Sequence, residues 1–164
     1  MTRAPEIARF VDAQADGEYE RALAEIRAGR KRGHWIWYTF PQIAGLGSSH
    51  MSQAYAIQDR GEAEEYLRHP LLAQRLAEIA GAAAGHLRNG VALNTLMGSS
   101  IDAAKLVSSM TLFGEVARRL PENARTAEAD ALANAAEAIL AAAATQGYPR
   151  CEHTIRRLAR PPAY

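Results

Sequence analysis

Aromatic side chains are concentrated in one short stretch, Gly33–Gly47, which reads GHWIWYTFPQIAGLG. It contains both tryptophans of the chain, Trp35 and Trp37, together with His34 and Gln42. An indole can stack on a planar ring, and a nearby amide can hydrogen-bond to the polar edge of that ring. The stretch therefore predicts either a ligand-binding surface or a packed part of the core, and the large apolar area of tryptophan favours the core.

A second group of polar side chains lies on a predicted helix from Ser99 to about Leu120. At about 100° per residue, Asp102 and Ser109 fall within the apolar arc of this helix, and Lys105 flanks it. The helix thus directs a carboxylate, an ammonium group and a hydroxyl toward the interior. Because desolvation alters the ionisation of a carboxylate, Asp102 is a candidate general base, as is His34.

Together these residues predict an interior polar pocket for a small anionic or nucleotide-like ligand. Lysines would offset its negative charge, amides would bind polar edges, and the backbone N–H groups after Gly45-Leu46-Gly47 could receive a phosphate. The candidate ligand-binding side chains are Gln14, Tyr19, Lys31, His34, Trp35, Trp37, Gln42, Asp102, Lys105 and Ser109.

The same polar side chains also have a purely structural interpretation. The aromatic stretch has no neighbouring strand, so inward polar groups such as Gln14, Asp102, Lys105 and Ser109 could be the hydrogen-bond partners of its backbone. Ser99 and Asp102 fit a capping box, and Lys105 can pair with Asp102 one turn away. Both interpretations stay open at the level of sequence.

Two further functions fit the aromatic stretch. If it is partly exposed, its tryptophans could form a hot spot for another protein or for a second copy of the chain. The basic patch Arg27–Arg32 leads directly into it and could support weak nucleic-acid binding, extended by Arg156, Arg157 and Arg160. However, the formal net charge of +1 gives no general attraction to nucleic acid or to an acidic membrane.

Recognised catalytic and cofactor motifs are missing from the sequence. It has no GxGxxG or GxxxxGK[ST] stretch, no paired histidine spacing typical of a metal site, and no glycine elbow around Ser108-Ser109. We therefore expect neither a metal nor a cofactor, and the sequence leaves enzymatic activity open.

The length of 164 residues fits one domain, with a core from about 7 to 145 and a short basic tail from 148 to 164. The single cysteine, Cys151, cannot form an internal disulfide, and the first residues lack the apolar run of a signal peptide. The alanine-rich run 129–144 contains acidic residues and is too short for a membrane span. These features favour a cytoplasmic protein.

Helical spacing of apolar residues dominates the rest of the chain and predicts an all-α fold. On the Ser99 helix, Leu106, Met110, Phe113 and Ala117 should face inward and Ala104, Thr111, Glu115 and Arg118 outward. The predicted helices run from Pro5 to about Gln14, from an Asp16 cap to Gly29, from Ser48 to Ile57, from Gly61 to Leu67, from Pro70 to Asn89, from Ser99 to Leu120, and from Thr126 to Ala144.

The segment Trp35–Phe40 carries the one strong strand-like signal, but a single strand cannot make a sheet. We therefore expect an extended or partly helical aromatic segment threaded between the helices. Pro41 favours extended geometry at its end, because a proline disfavours helical geometry in the residue before it.

Two sequence blocks are distinctive, HWIWYTFPQ at 34–42 and KLVSSMTLF at 105–113. With them the chain resembles DUF1810, a family of all-helical bacterial proteins of unknown function, from about Phe10 to Leu158. The resemblance implies a single compact all-helical domain, and no established activity, cofactor or substrate. Near the C-terminus the family pattern has an acidic residue three before a threonine, whereas Cys151 stands three before Thr154 in this chain.

Overall fold

The computed structural model describes residues 6–160, which fold into ten α-helices without a β-sheet. The first five helices are α1 (Glu6–Ala13), α2 (Glu18–Arg27), α3 (Ile36–Thr39), α4 (His50–Ala54) and α5 (Arg60–Arg68). The other five are α6 (Pro70–Arg88), α7 (Leu93–Met97), α8 (Ser100–Arg118), α9 (Ala127–Thr145) and α10 (Glu152–Ala159). The predicted all-α class is confirmed, and the predicted helix start at Pro5 lies outside the described residues.

Three long helices form the frame of the molecule, since α9 packs against both α6 and α8. The contact between α8 and α9 is close because Gly114 has no side chain: an added Cβ would lie 2.9 Å from the Cβ of Ala136. None of the helices described has the length and apolar content needed to cross a membrane. The inward residues predicted on α6 are all buried, namely Leu72, Leu76, Ile79, Ala83 and Leu87.

One residue of the predicted outward face of α8 is placed differently in the structure. Thr111 was expected to point outward, but it is buried: its hydroxyl donates to the carbonyl of Val107 at 2.8 Å and accepts from the N–H of Cys151 at 3.1 Å. The cause is α10, which packs against α8. The predicted short basic tail forms this eight-residue helix and buries Leu158.

Two helix boundaries also differ from their predictions. Asp16 does not cap α2, because the carbonyls of Gln14 and Ala15 accept hydrogen bonds from the first N–H groups of that helix. The helix predicted to reach Ile57 ends at Ala54, because the backbone of Ile57 is used in a β-bridge.

The aromatic stretch is partly helical. Residues Ile36–Thr39 form the single turn α3, in which the N–H of Phe40 donates to the carbonyl of Ile36. Among the polar groups proposed as backbone partners of this stretch, Gln14 has that role, since its Nε2 donates to the carbonyl of Tyr38 at 2.7 Å. Within residues 6–160, Asp102, Lys105 and Ser109 make no hydrogen bond to this backbone, so that structural interpretation is wrong for them.

Candidate functional site

A cleft of about 290 Å³ lies between the aromatic stretch and α4, and we call it the loop cleft. Its lining begins with Trp37 on α3 and continues along the loop 42–47. Within the described chain, no carboxylate, histidine, lysine or arginine lines it, so it offers an aromatic ring, amides, hydroxyls and backbone groups. The opposite side consists of Ser52, Gln53, Tyr55, Ala56 and Gln58.

An isolated parallel bridge between Ile43 and Ile57 holds the two sides of the loop cleft together. The N–H of Ile57 donates to the carbonyl of Gln42, and the N–H of Ala44 donates to the carbonyl of Ile57, both at 2.8 Å. Both isoleucines are buried, which protects these hydrogen bonds from competing water. The backbone of the cleft is therefore well positioned without any bound partner.

Trp37 and Gln42 provide the polar and aromatic groups nearest the start of the loop. Trp37 is half-buried, and its Nε1 is buried with no hydrogen-bond partner in residues 6–160. The amide of Gln42 also makes no hydrogen bond to the described part of the chain and lines the cleft. The Gln42 amide is therefore available to a ligand or to water, whereas Trp37 Nε1 is enclosed by protein atoms.

The edge of the loop cleft is held by α10. Both His153 Nε2 and Arg157 Nη1 contact the carbonyl of Ala44, at 2.9 and 3.1 Å, and Arg157 Nη2 donates to the carbonyl of Gln58 at 3.0 Å. Arg157 has no carboxylate within ion-pairing distance among the described residues. A positive charge therefore lies beside the cleft without a carboxylate partner in residues 6–160.

Three charged side chains form a cluster beside the tryptophans. Lys31 is buried and its Nζ lies 2.9 Å from Asp102, while Lys105 Nζ lies 3.9 Å from the same carboxylate. Lys31 also lies over the ring of Trp35 and Lys105 over that of Trp37, at 4.9 and 5.3 Å from the ring centroids. Asp102 and the nearby Glu25, whose pKa is lowered partly by the charge of Lys31, offset the two lysines of this cluster.

Glu25 anchors the chain immediately before α3. Its Oε1 accepts hydrogen bonds from the N–H groups of Arg32 and Gly33, both at 2.7 Å, and from Trp35 Nε1 at 2.9 Å. Burial opposes ionisation of Glu25, but these hydrogen bonds more than offset it and hold the pKa of the carboxyl below its usual range. Glu25 thereby fixes the buried Trp35 and, two residues later, the position of Trp37.

The family model described as "Protein of unknown function (DUF1810)" matches residues 4–139. The chain belongs to the DUF1810 family. The resemblance inferred from the two sequence blocks is therefore confirmed. The helix α10, which holds the edge of the loop cleft, lies beyond the part of the chain that the DUF1810 model matches.

A solved structure supports the same relationship. The chain is 37% identical to the conserved hypothetical protein Rv1873 from Mycobacterium tuberculosis, and the match covers 95% of this chain and 98% of that chain with a TM-score of 0.74. No curated protein matches the chain. These comparisons establish the family and the fold, and they assign no reaction.

The predicted site residues do not form a single site. Trp37 and Gln42 line the loop cleft, whereas Lys31, Trp35, Asp102 and Lys105 form or contact the charged cluster.

Gln14 and Tyr19 hold helices together elsewhere. Besides its bond to Tyr38, Gln14 Nε2 donates to the hydroxyl of Tyr66 at 3.2 Å. The hydroxyl of Tyr19 donates to Glu78 at 2.5 Å and to the carbonyl of Arg75 at 3.0 Å.

The two remaining predicted residues lie apart from the loop cleft lining. His34 is exposed, and Ser109 is fully buried with no partner for its hydroxyl in residues 6–160. Asp102, the other candidate general base, is held between two lysines. The lining of the loop cleft therefore consists of binding groups rather than an arranged acid and base.

Burial also bears on the alternative functions. Trp35 is 2% exposed, which counts against a hot spot formed by both indoles. Lys31 is buried and paired with Asp102, so the Arg27–Arg32 patch presents fewer free cations to a nucleic acid than its sequence indicates.

Sequence reasoning missed the far side of the loop cleft, which includes Ser52, Tyr55 and Gln58. These residues were assigned to or beside a helix, and Ser52 does lie in α4. Nothing in their local sequence indicates that they line a cleft. Arg157 gave no local signal, because its contact with the cleft spans most of the chain.

Proposed function

We propose that this protein binds a small nucleotide-like ligand in the loop cleft, with the planar ring of the ligand against Trp37. The observation that carries the proposal is that Trp37, Gln42 and Gly45-Leu46-Gly47 line one cleft. Its volume of about 290 Å³ is at the lower end of the range for ligand pockets, which favours a mononucleotide over a dinucleotide.

The uncharged lining supports recognition of a planar polar ring. An indole supplies a stacking surface worth about 1–3 kcal/mol per base. The free amide of Gln42 can donate and accept at the edge of a base, and Tyr55 and Ser52 add hydroxyls on the opposite side. A purely apolar ligand would leave these polar groups without partners, at a cost in free energy.

The charge at the cleft edge supports an anionic substituent on that ring. Arg157 lies at the cleft edge with no carboxylate partner in residues 6–160. Its positive charge favours a phosphate over a neutral or cationic group.

A thermal-shift screen followed by calorimetry tests the proposal. The probes are adenosine and uridine monophosphates, nicotinamide mononucleotide, and ribose 5-phosphate as a phosphate without a base. A ligand present at about a hundred times its dissociation constant stabilises the protein by roughly 2.7 kcal/mol, so a true ligand gives a clear shift. We expect at least one mononucleotide to bind and ribose 5-phosphate to bind more weakly.

Two variants connect any binding to the loop cleft. Gln42→Leu removes the free amide and should weaken mononucleotide binding, whereas Gln74→Leu removes an exposed amide on α6 and should not. The proposal is overturned if no mononucleotide binds, or if both variants bind it as tightly as the natural protein.

A further inference from the structure

A second cleft, of about 450 Å³, lies where α10 packs against α8, and we call it the arginine cleft. Its volume falls within the range typical of pockets for small organic ligands. Its residues come from α5, α8 and the segment 150–159, and none of them lines the loop cleft. It is thus a separate candidate site that the proposed function does not use.

One side of the arginine cleft is apolar. Leu158 and Ala159 on α10 line it, together with Ile155, whose side chain is 46% exposed. In the part of the chain that the structure describes, Ile155 and Ile101 are the large apolar residues left exposed. Exposed apolar area at the side of a cleft favours a partner with an apolar body.

The other side carries an excess of positive charge. Arg60, Arg118, Arg119 and Arg150 line the cleft, with Glu115 as the one carboxylate among its described lining residues. Glu115 pairs with both Arg118 and Arg119. Burial of Glu115 opposes its ionisation, but the hydrogen bonds from the two guanidinium groups more than offset it and hold the pKa of this carboxyl low.

The remaining arginines differ in how well they are neutralised. Arg150 makes two hydrogen bonds to Glu137, at 2.7 and 2.9 Å. Arg60 instead donates to the carbonyl of Leu158 at 3.3 Å and has no carboxylate partner within residues 6–160. A guanidinium presents several N–H donors in a fixed plane, so Arg60 can still bind a carboxylate.

We propose that the arginine cleft binds a small amphipathic carboxylate, with its apolar body against Ile155 and Leu158 and its carboxylate on Arg60. Charge complementarity selects an anion, because four arginines face two paired carboxylates. The exposed isoleucine beside them favours an anion with a hydrocarbon body over a bare inorganic anion.

Calorimetric titration of the full chain with three probes tests this inference. Octanoate carries both features, octanamide keeps the hydrocarbon without the charge, and inorganic phosphate keeps the charge without the hydrocarbon. We expect octanoate to bind at least about tenfold more tightly than either of the others, because octanamide lacks the charge that pairs with Arg60 and phosphate lacks the apolar body that contacts Ile155. Equal binding of octanoate and octanamide, or no binding of octanoate, overturns the proposal.

Matched arginine variants locate the site. Arg60→Gln should weaken octanoate binding about tenfold, while Arg156→Gln should not, because Arg156 is exposed on the same α10 and does not line the cleft. If Arg60→Gln impairs folding, Arg119→Gln provides the second test and should also weaken binding. Equal affinities for the natural protein, Arg60→Gln and Arg119→Gln would contradict the assignment.

Discussion

The loop cleft and the arginine cleft differ in which parts of the chain form them and in the charge of their lining residues. The loop cleft is built mainly by one continuous part of the chain, residues 37–58, and its described lining is uncharged. The arginine cleft joins α5, α8 and the segment 150–159, and most of its polar groups are charged. The first therefore depends on the backbone geometry of a loop, whereas the second depends on how α10 docks.

The shared element in this comparison is α10. Its His153 and Arg157 hold the backbone of the loop cleft, while its Ile155 and Leu158 line the arginine cleft. Opposite faces of one eight-residue helix thus support both sites. A substitution on one face of α10 should therefore affect one cleft without affecting the other.

The largest expected loss of stability comes from a substitution in the backbone of the loop cleft. Gly45 has a φ of +99°, and a Cβ there would lie 2.9 Å from His153 Nε2. Gly45→Ala should combine backbone strain with displacement of His153 and lower the free energy of unfolding by about 3 kcal/mol, as measured by urea denaturation.

Gly147→Ala is the matched control, near the start of the segment that leads to the arginine cleft. Gly147 also has a positive φ, of +90°, but nothing lies within 4 Å of the added Cβ. The free energy of unfolding of this variant should fall by about 1 kcal/mol, because of the strained backbone conformation alone. Equal losses at Gly45 and Gly147 would show that the contact with His153 contributes nothing.

The next largest effect concerns the carboxylate that positions the tryptophans. Glu25→Gln should lower the free energy of unfolding at pH 7 by about 2 kcal/mol, because the charged acceptor of three hydrogen bonds is lost. Glu20→Gln changes an exposed carboxylate on the same α2 and should alter the stability by less than about 0.5 kcal/mol.

The lowered pKa of Glu25 makes its contribution to folding stability depend on pH. A carboxyl whose pKa is lower in the folded state contributes its full stabilisation above its unfolded pKa, near 4.5. That contribution is lost as the pH falls through the folded pKa. The difference in stability between the natural protein and Glu25→Gln should therefore narrow below pH 4, and a constant difference would contradict the assignment.

A substitution in one cleft should weaken the binding of that cleft's ligand about tenfold and leave the affinity of the other cleft unchanged. Trp37→Leu removes the stacking surface and should weaken mononucleotide binding about tenfold while leaving octanoate binding unchanged. Arg60→Gln should weaken octanoate binding about tenfold and leave mononucleotide binding unchanged. Calorimetry on both variants with both ligands checks this, and a variant that weakens both ligands equally would indicate a change in α10 or in the whole fold.

The smallest expected effect is on the docking of α10. Thr111→Val removes the acceptor for the Cys151 N–H and should cost about 1 kcal/mol in the free energy of unfolding. Ser109→Ala, on the same helix, removes a buried hydroxyl with no partner in residues 6–160, so the stability should stay the same or rise. Urea denaturation of both variants measures the difference, and a larger loss for Ser109→Ala would contradict it.

Local sequence signals predicted the features that depend on interactions between residues close together in the chain. Pro70 at a helix start, the Ser99 cap and the apolar stripe of α6 each act within a few residues, and each was found where expected. Trp37 and Gln42 line the same cleft because they lie in one short stretch with a recognisable composition, and their role in ligand binding stays a prediction.

Long-range packing limited the rest of the prediction. The burial of Thr111 depends on α10, and the bridge between Ile43 and Ile57 replaces the last turn of a predicted helix. The pairing of Lys31 with Asp102 joins two segments that no helical periodicity connects. Each is decided by tertiary contacts that outweigh local propensity.

The central claim, that a planar ligand stacks on Trp37, can be tested on the natural protein by nitrogen–proton correlation spectra. The two indole N–H signals serve as reporters, because Trp35 Nε1 is bonded to Glu25 whereas Trp37 Nε1 has no partner in the described chain. Separate titrations with adenosine and uridine monophosphates should shift the Trp37 signal and leave that of Trp35 in place, with Trp37→Phe giving the assignment. An unchanged Trp37 signal at saturating concentrations of both nucleotides would contradict the claim.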